Sequence, residues 1–110
     1  MQLKRTIFSV EISGVTYRFA EATMREIESL VASETAAFEA QDFSKIKEIH
    51  LAFVLNALNQ VPNAAPITAE ELKDNVGVAQ FNTLYGAILT AQGIKLEAKN
   101  LGESLPSQSS

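Results

Sequence analysis

A period of two governs the first stretch of the chain. Phe8, Val10 and Ile12 alternate with Ser9 and Glu11, Ser13-Gly14 interrupts, and Val15, Tyr17 and Phe19 then alternate with Thr16 and Arg18. Strict alternation is the pattern of a strand with one buried face. A two-residue Ser-Gly loop suits a tight hairpin, because glycine takes positive φ without a Cβ penalty. The spacing predicts a hairpin over residues 6–20, with Ile12 opposite Val15, Val10 opposite Tyr17 and Phe8 opposite Phe19. All six apolar side chains then share one face, and Glu11 with Thr16 and Ser9 with Arg18 lie on the other. An isolated hairpin is marginal in water, so the apolar face needs helices to cover.

The period then lengthens. Thr23-Met24-Arg25-Glu26 is a capping box, and Ile27, Leu30, Val31, Glu34 and Phe38 follow at helical spacing. This predicts a helix over about 24–40, with Glu28 and Glu39 on its other face. Asp42 is placed to cap a second helix over about 43–60. Its stretch from Ile49 to Leu58 is mostly apolar, and its polar stripe is narrow, through Lys45, Glu48, Ala52, Asn56 and Asn59. Such a helix is either central in a bundle or presents part of its face to another chain. Val61-Pro62-Asn63-Ala64-Ala65-Pro66 reads as a loop. Thr68-Ala69-Glu70-Glu71 is a second capping box, followed by Leu72, Val76, Phe81, Leu84, Tyr85, Ile88 and Leu89. Gly77, close behind Asp74-Asn75, predicts a break into helices 69–75 and 78–92, although the apolar spacing runs nearly through it. Gly93 is placed to end the last helix. From Lys95 the pattern dissolves into Gly102, Pro106 and serines, the composition of a flexible polar tail. The expected fold is α+β and mainly α. It is one domain over 1–94, an N-terminal β-hairpin packed on a bundle of three or four helices, with a disordered C-terminal tail over 95–110.

Composition narrows the function classes. The chain has 110 residues, 46% hydrophobic and 20% charged, which fits one soluble globular domain. It has no cysteine, which removes disulfides, thiolate metal sites and cysteine nucleophiles, and it has a single histidine. No apolar run approaches the roughly 20 residues needed to span a bilayer. Lys4 and Arg5 are not followed by an apolar signal-peptide core, so the expected address is the cytoplasm. The formal net charge of −4 is concentrated between residues 20 and 44, where Glu21, Glu26, Glu28, Glu34, Glu39 and Asp42 stand against Arg25. An acidic chain without a basic stripe argues against a nucleic-acid partner. The acidic stretch reads either as a solvated helix face or as a surface for a basic partner.

Catalytic parts are not visible. His50 lies beside the apolar stripe of the second helix and has no second histidine with which to hold a metal. Glu70, Glu71 and Asp74 sit at a helix start, where favourable interaction with the helix dipole accounts for them. The glycines at 14, 77, 86, 93 and 102 form no phosphate-cradling loop. The six Phe and two Tyr are mainly at core-like positions rather than interleaved with lysines. The reading is therefore non-enzymatic, with no catalytic, cofactor-binding or metal-binding residue and no cofactor.

The order of these elements resembles the tail assembly chaperones of long-tailed bacteriophages and prophages. The residues that carry the resemblance are Val10-Glu11-Ile12-Ser13-Gly14-Val15-Thr16-Tyr17-Arg18-Phe19, then Leu55 and Leu58 before Pro62, then Ile67-Thr68-Ala69-Glu70-Glu71-Leu72-Lys73-Asp74. The resemblance spans about residues 6–93 and is one of pattern and order. It implies a small, largely helical, non-enzymatic protein of the bacterial host cytoplasm. It also implies protein partners, a tape-measure protein whose apolar helices it keeps soluble and tail-tube subunits that it recruits, with self-association as a further expectation. Helix-in-groove recognition is the expected mode. The candidate surfaces are the surplus apolar sides of the 43–60 and 78–92 helices, with Glu26, Glu28, Glu34 and Glu39 as rim. The alternatives are a structural tail or connector protein of the virion and a regulatory protein-interaction domain.

Overall fold

The computed structural model describes residues 4–93. Strands β1 (Ile7–Ile12) and β2 (Val15–Ala20) form an antiparallel hairpin. Its register pairs Phe8 with Phe19, Val10 with Tyr17 and Ile12 with Val15, as the alternation predicts. Ser13 and Gly14 both take positive φ, 52° and 80°, the backbone of a turn whose twist matches that of the strands. Ser9, Glu11, Thr16 and Arg18 face solvent. On the other face Phe19 and Ile12 are buried, Phe8 stacks on Phe19 with ring centroids 5.5 Å apart, and Val15 is left half open beside the turn.

Four helices follow: α1 (Met24–Glu39), α2 (Phe43–Asn59), α3 (Ala69–Asn75) and α4 (Val78–Ala91). Both predicted capping boxes are present. Thr23 Oγ1 accepts from the Glu26 N–H while Glu26 Oε1 accepts from the Thr23 N–H, and Thr68 and Glu71 repeat the exchange at α3. Asp42 caps α2 by accepting from the Lys45 N–H. Gly77 separates α3 from α4, and Gly93, at φ 82°, follows the end of α4. The reading of 95–110 as a flexible tail lies outside the described residues. Among the described residues no helix is long and apolar enough to cross a membrane.

The turn from α1 to α2 was not foreseen. Gln41 sits at φ 56°, its N–H donates to the Phe38 carbonyl, and the Asp42 N–H donates to the Ala37 carbonyl. This pair of bonds is the Schellman closure of a helix, here with glutamine where glycine is the usual occupant. Since Asp42 caps the next helix at once, the chain reverses tightly and α1 lies along α2.

Of the two roles open to it, α2 takes the central one. It packs against α1, β2, α3 and α4, while α4 covers β1. The contiguous core joins Ile12 and Phe19 of the hairpin to Val54, Ala57 and Leu58 of α2, Leu72 of α3, and Leu84 and Ile88 of α4. Each large side chain here contributes roughly 1.5–3 kcal/mol by leaving water. Helix α1 stands outside this cluster. It buries Leu30 and Ala37, and α2 is its main neighbour. The loop after α2 is pinned by Asn59, whose Oδ1 accepts from the Ile67 N–H at 2.8 Å and whose Nδ2 donates to the Ile67 carbonyl at 2.9 Å.

Candidate functional site

Two polar clusters tie α1 to the rest of the molecule, and both contain a glutamate expected on an outer rim. The Glu26 carboxylate accepts four hydrogen bonds. Oε1 takes the Thr23 N–H at 2.9 Å and Arg5 Nη1 at 3.3 Å, and Oε2 takes Arg5 Nη2 and Asn56 Nδ2, each at 3.1 Å. Burial alone would raise its pKa. The bonds from Thr23 and Asn56 and the Arg5 guanidinium outweigh burial and hold the carboxyl below its usual value.

Glu34, from α1, meets His50 of α2 and Tyr85 of α4. His50 Nε2–H and the Tyr85 hydroxyl, at 3.2 Å, both donate to Glu34 Oε2. The imidazole stacks on the phenol ring, centroids 4.1 Å apart, and Phe53 meets that ring edge-on. Burial, followed by the charge and hydrogen bond of Glu34, pushes the Tyr85 phenol well up, so it stays a neutral donor. Both donors spend themselves on one carboxylate oxygen, and among the described residues no serine or threonine hydroxyl bonds to His50 or Glu34. The arrangement clasps three helices together and offers no activated nucleophile. Among the described residues no group of three or more His, Asp or Glu side chains could hold a metal ion.

The rim of Glu26, Glu28, Glu34 and Glu39 therefore needs correction. Glu26 and Glu34 turn inward to hydrogen-bond donors, and Glu28 and Glu39 alone remain exposed. Glu34 gave a signal in the sequence, since it falls in the apolar series seven residues after Ile27. His50 and Tyr85 stood beside or within apolar series of their own, but nothing in the sequence paired them with Glu34.

The apolar surplus is also differently placed. Helix α4 spends Leu84, Ile88 and Leu89 in the interior, and α2 spends Val54, Ala57 and Leu58. What remains between them is a groove of about 330 Å³ lined by Leu51, Leu72, Val76, Val78 and Phe81, with Lys47 and Lys73 beside it. The larger surplus lies on α1. Met24, Val31 and Phe38 are 83%, 54% and 59% exposed, and Phe43, at the start of α2, is 61% exposed. Phe38 and Phe43 meet edge to face at 6.2 Å, a contact made by the tight α1–α2 reversal. A shallow cleft of about 410 Å³ continues the N-terminal end of this surface, lined by Glu21, Met24, Ile27, Glu28 and Gln92. Apolar stripes with charged neighbours on an exposed helix are the usual material of macromolecular contacts.

Comparison with protein-family models, with curated proteins and with solved structures gave no match.

Proposed function

We propose that the protein is a non-enzymatic interaction module of bacteriophage tail morphogenesis, a tail assembly chaperone that shields apolar helices of a tape-measure protein in the host cytoplasm and recruits tail-tube subunits. One observation carries the reading: Met24, Val31, Phe38 and Phe43 remain more than half exposed after folding, and the first three lie along one helix. Each such side chain forgoes the transfer free energy that burial would give, and a contiguous line of them, rather than scattered ones, is the mark of a contact surface. The order of hairpin, capped helices and proline loop supports the same reading through the resemblance described above. The polar clusters add to it, since their donors and acceptors are spent in holding helices together.

The test is expression with the tape-measure protein encoded in the same phage or prophage genome. The module should copurify with that protein and reduce its aggregation, and no effect on either would count against the reading. A second reading rests on the hairpin, whose two strands, among the described residues, each leave one edge unpaired. A virion neighbour could add a strand there. Presence of the protein in purified mature particles would favour this structural role, because an assembly chaperone departs before maturation.

A further inference from the structure

We propose that the outer face of α1 is a docking surface for a basic amphipathic helix. This deepens the interaction reading and rests on it. Met24, Val31 and Phe38 stand seven residues apart. At 3.6 residues per turn they form a nearly straight line, about 21 Å long at 1.5 Å rise per residue. Seven-residue spacing is the geometry by which one helix lies along another, each apolar side chain seating between side chains of its partner. The line is exposed, and Phe43 extends it at the C-terminal end. Neither β-hairpin nor α4 covers it, because α2 is the main neighbour of α1.

Charge selects the occupant. Glu28 and Glu39 lie exposed along one side of the line, within roughly 60–80° of its axis. Glu21 and Glu28 line the cleft at one end, and Asp42 is exposed at the other. Arg25, the one basic residue between positions 20 and 44, sits further round the helix. A second copy of α1 would bring acidic side chains against acidic side chains along the contact, which disfavours self-pairing. A helix with an apolar stripe and lysine or arginine beside it gains from both the apolar contact and the charge pattern.

The test uses the full-length protein and a fluorescent synthetic peptide of about three heptads, with leucine at the two core positions and lysine at the flanking ones. A second peptide carries glutamate in place of each lysine. Anisotropy should show micromolar binding of the lysine peptide, weakened by added salt, and at least tenfold weaker binding of the glutamate peptide. Val31→Ser and Phe38→Ser should each weaken the lysine peptide by about tenfold. Both sites are exposed, so the urea midpoints of the variants should match wild type, which separates lost docking from lost folding. Glu28→Lys combined with Glu39→Lys should reverse the preference between the peptides. Equal binding of the two peptides, no binding of the lysine peptide, or unchanged binding by the variants would overturn the proposal. So would dimerisation in sedimentation that the same serine variants abolish. If the tape-measure partner is still captured by Phe38→Ser but lost from Val78→Asp, docking runs through the α2–α4 groove. In that case this inference falls while the chaperone reading stands.

Discussion

Replacing Glu26 by alanine should destabilise the fold by removing one carboxylate that serves several donors at once. Its carboxylate joins three parts of the chain, the segment before β1 through Arg5, the cap of α1 through Thr23 and the last turn of α2 through Asn56. The capping bond contributes about 1 kcal/mol. The Asn56 amide would lose a charged partner in a partly buried place, at about 1 kcal/mol. The Arg5 pair is a little over a quarter exposed on each side, so solvent screening reduces it to roughly 0.5–1 kcal/mol. Together these give roughly 2–3 kcal/mol, or a fall of roughly 10–20 °C in Tm for a domain of this size. Glu26→Gln keeps the shape and one acceptor and should lose about half as much. Urea unfolding followed by far-UV circular dichroism reads both variants at pH 7. The pH dependence supplies a further check. The folded carboxyl titrates below its ordinary value of 4.5, so the unfolded chain takes up the proton first. The charge contribution is then fully present above about pH 4.5 and is lost as pH falls through the folded pKa. The gap between wild type and Glu26→Gln should close in that window. A loss below about 1 kcal/mol for Glu26→Ala, or a gap that does not depend on pH, would refute the reasoning.

Other expectations follow from single features. Gln41→Gly should stabilise the protein by about 0.5–1 kcal/mol in the same urea assay, because glycine takes the left-handed backbone at φ 56° without strain. Asn59→Ala should destabilise by about 1–2 kcal/mol, and hydrogen exchange should show the Ile67 amide losing its protection. Tyr85→Phe should cost about 1 kcal/mol by removing the hydroxyl that serves Glu34, with the far-UV spectrum unchanged.

The hairpin was legible in the sequence because two independent constraints agree there. Alternation fixes which side chains share a face, and the Ser-Gly turn fixes which residues oppose. The capped helix starts were legible for a similar reason, since Thr23 with Glu26 and Thr68 with Glu71 satisfy backbone donors only a turn away. What depends on packing was not. Helical spacing put Val31 and Phe38 in the same apolar series as Leu30, yet α2 covers only a narrow strip of α1 and reaches Leu30 and Ala37. The width of that strip depends on how the two helices cross, which no local pattern states. Gln41 carried no sign of a left-handed backbone, because glutamine is rarely found there. The clasp of Glu34, His50 and Tyr85 assembles residues as many as 51 positions apart, and it exists only once three helices have met.

The outermost position of α1 has one more consequence. The exposed apolar side chains of α1 belong to a layer outside the interior shared by hairpin, α2, α3 and α4. Substitutions along that line can therefore accumulate while the chassis beneath stays the same.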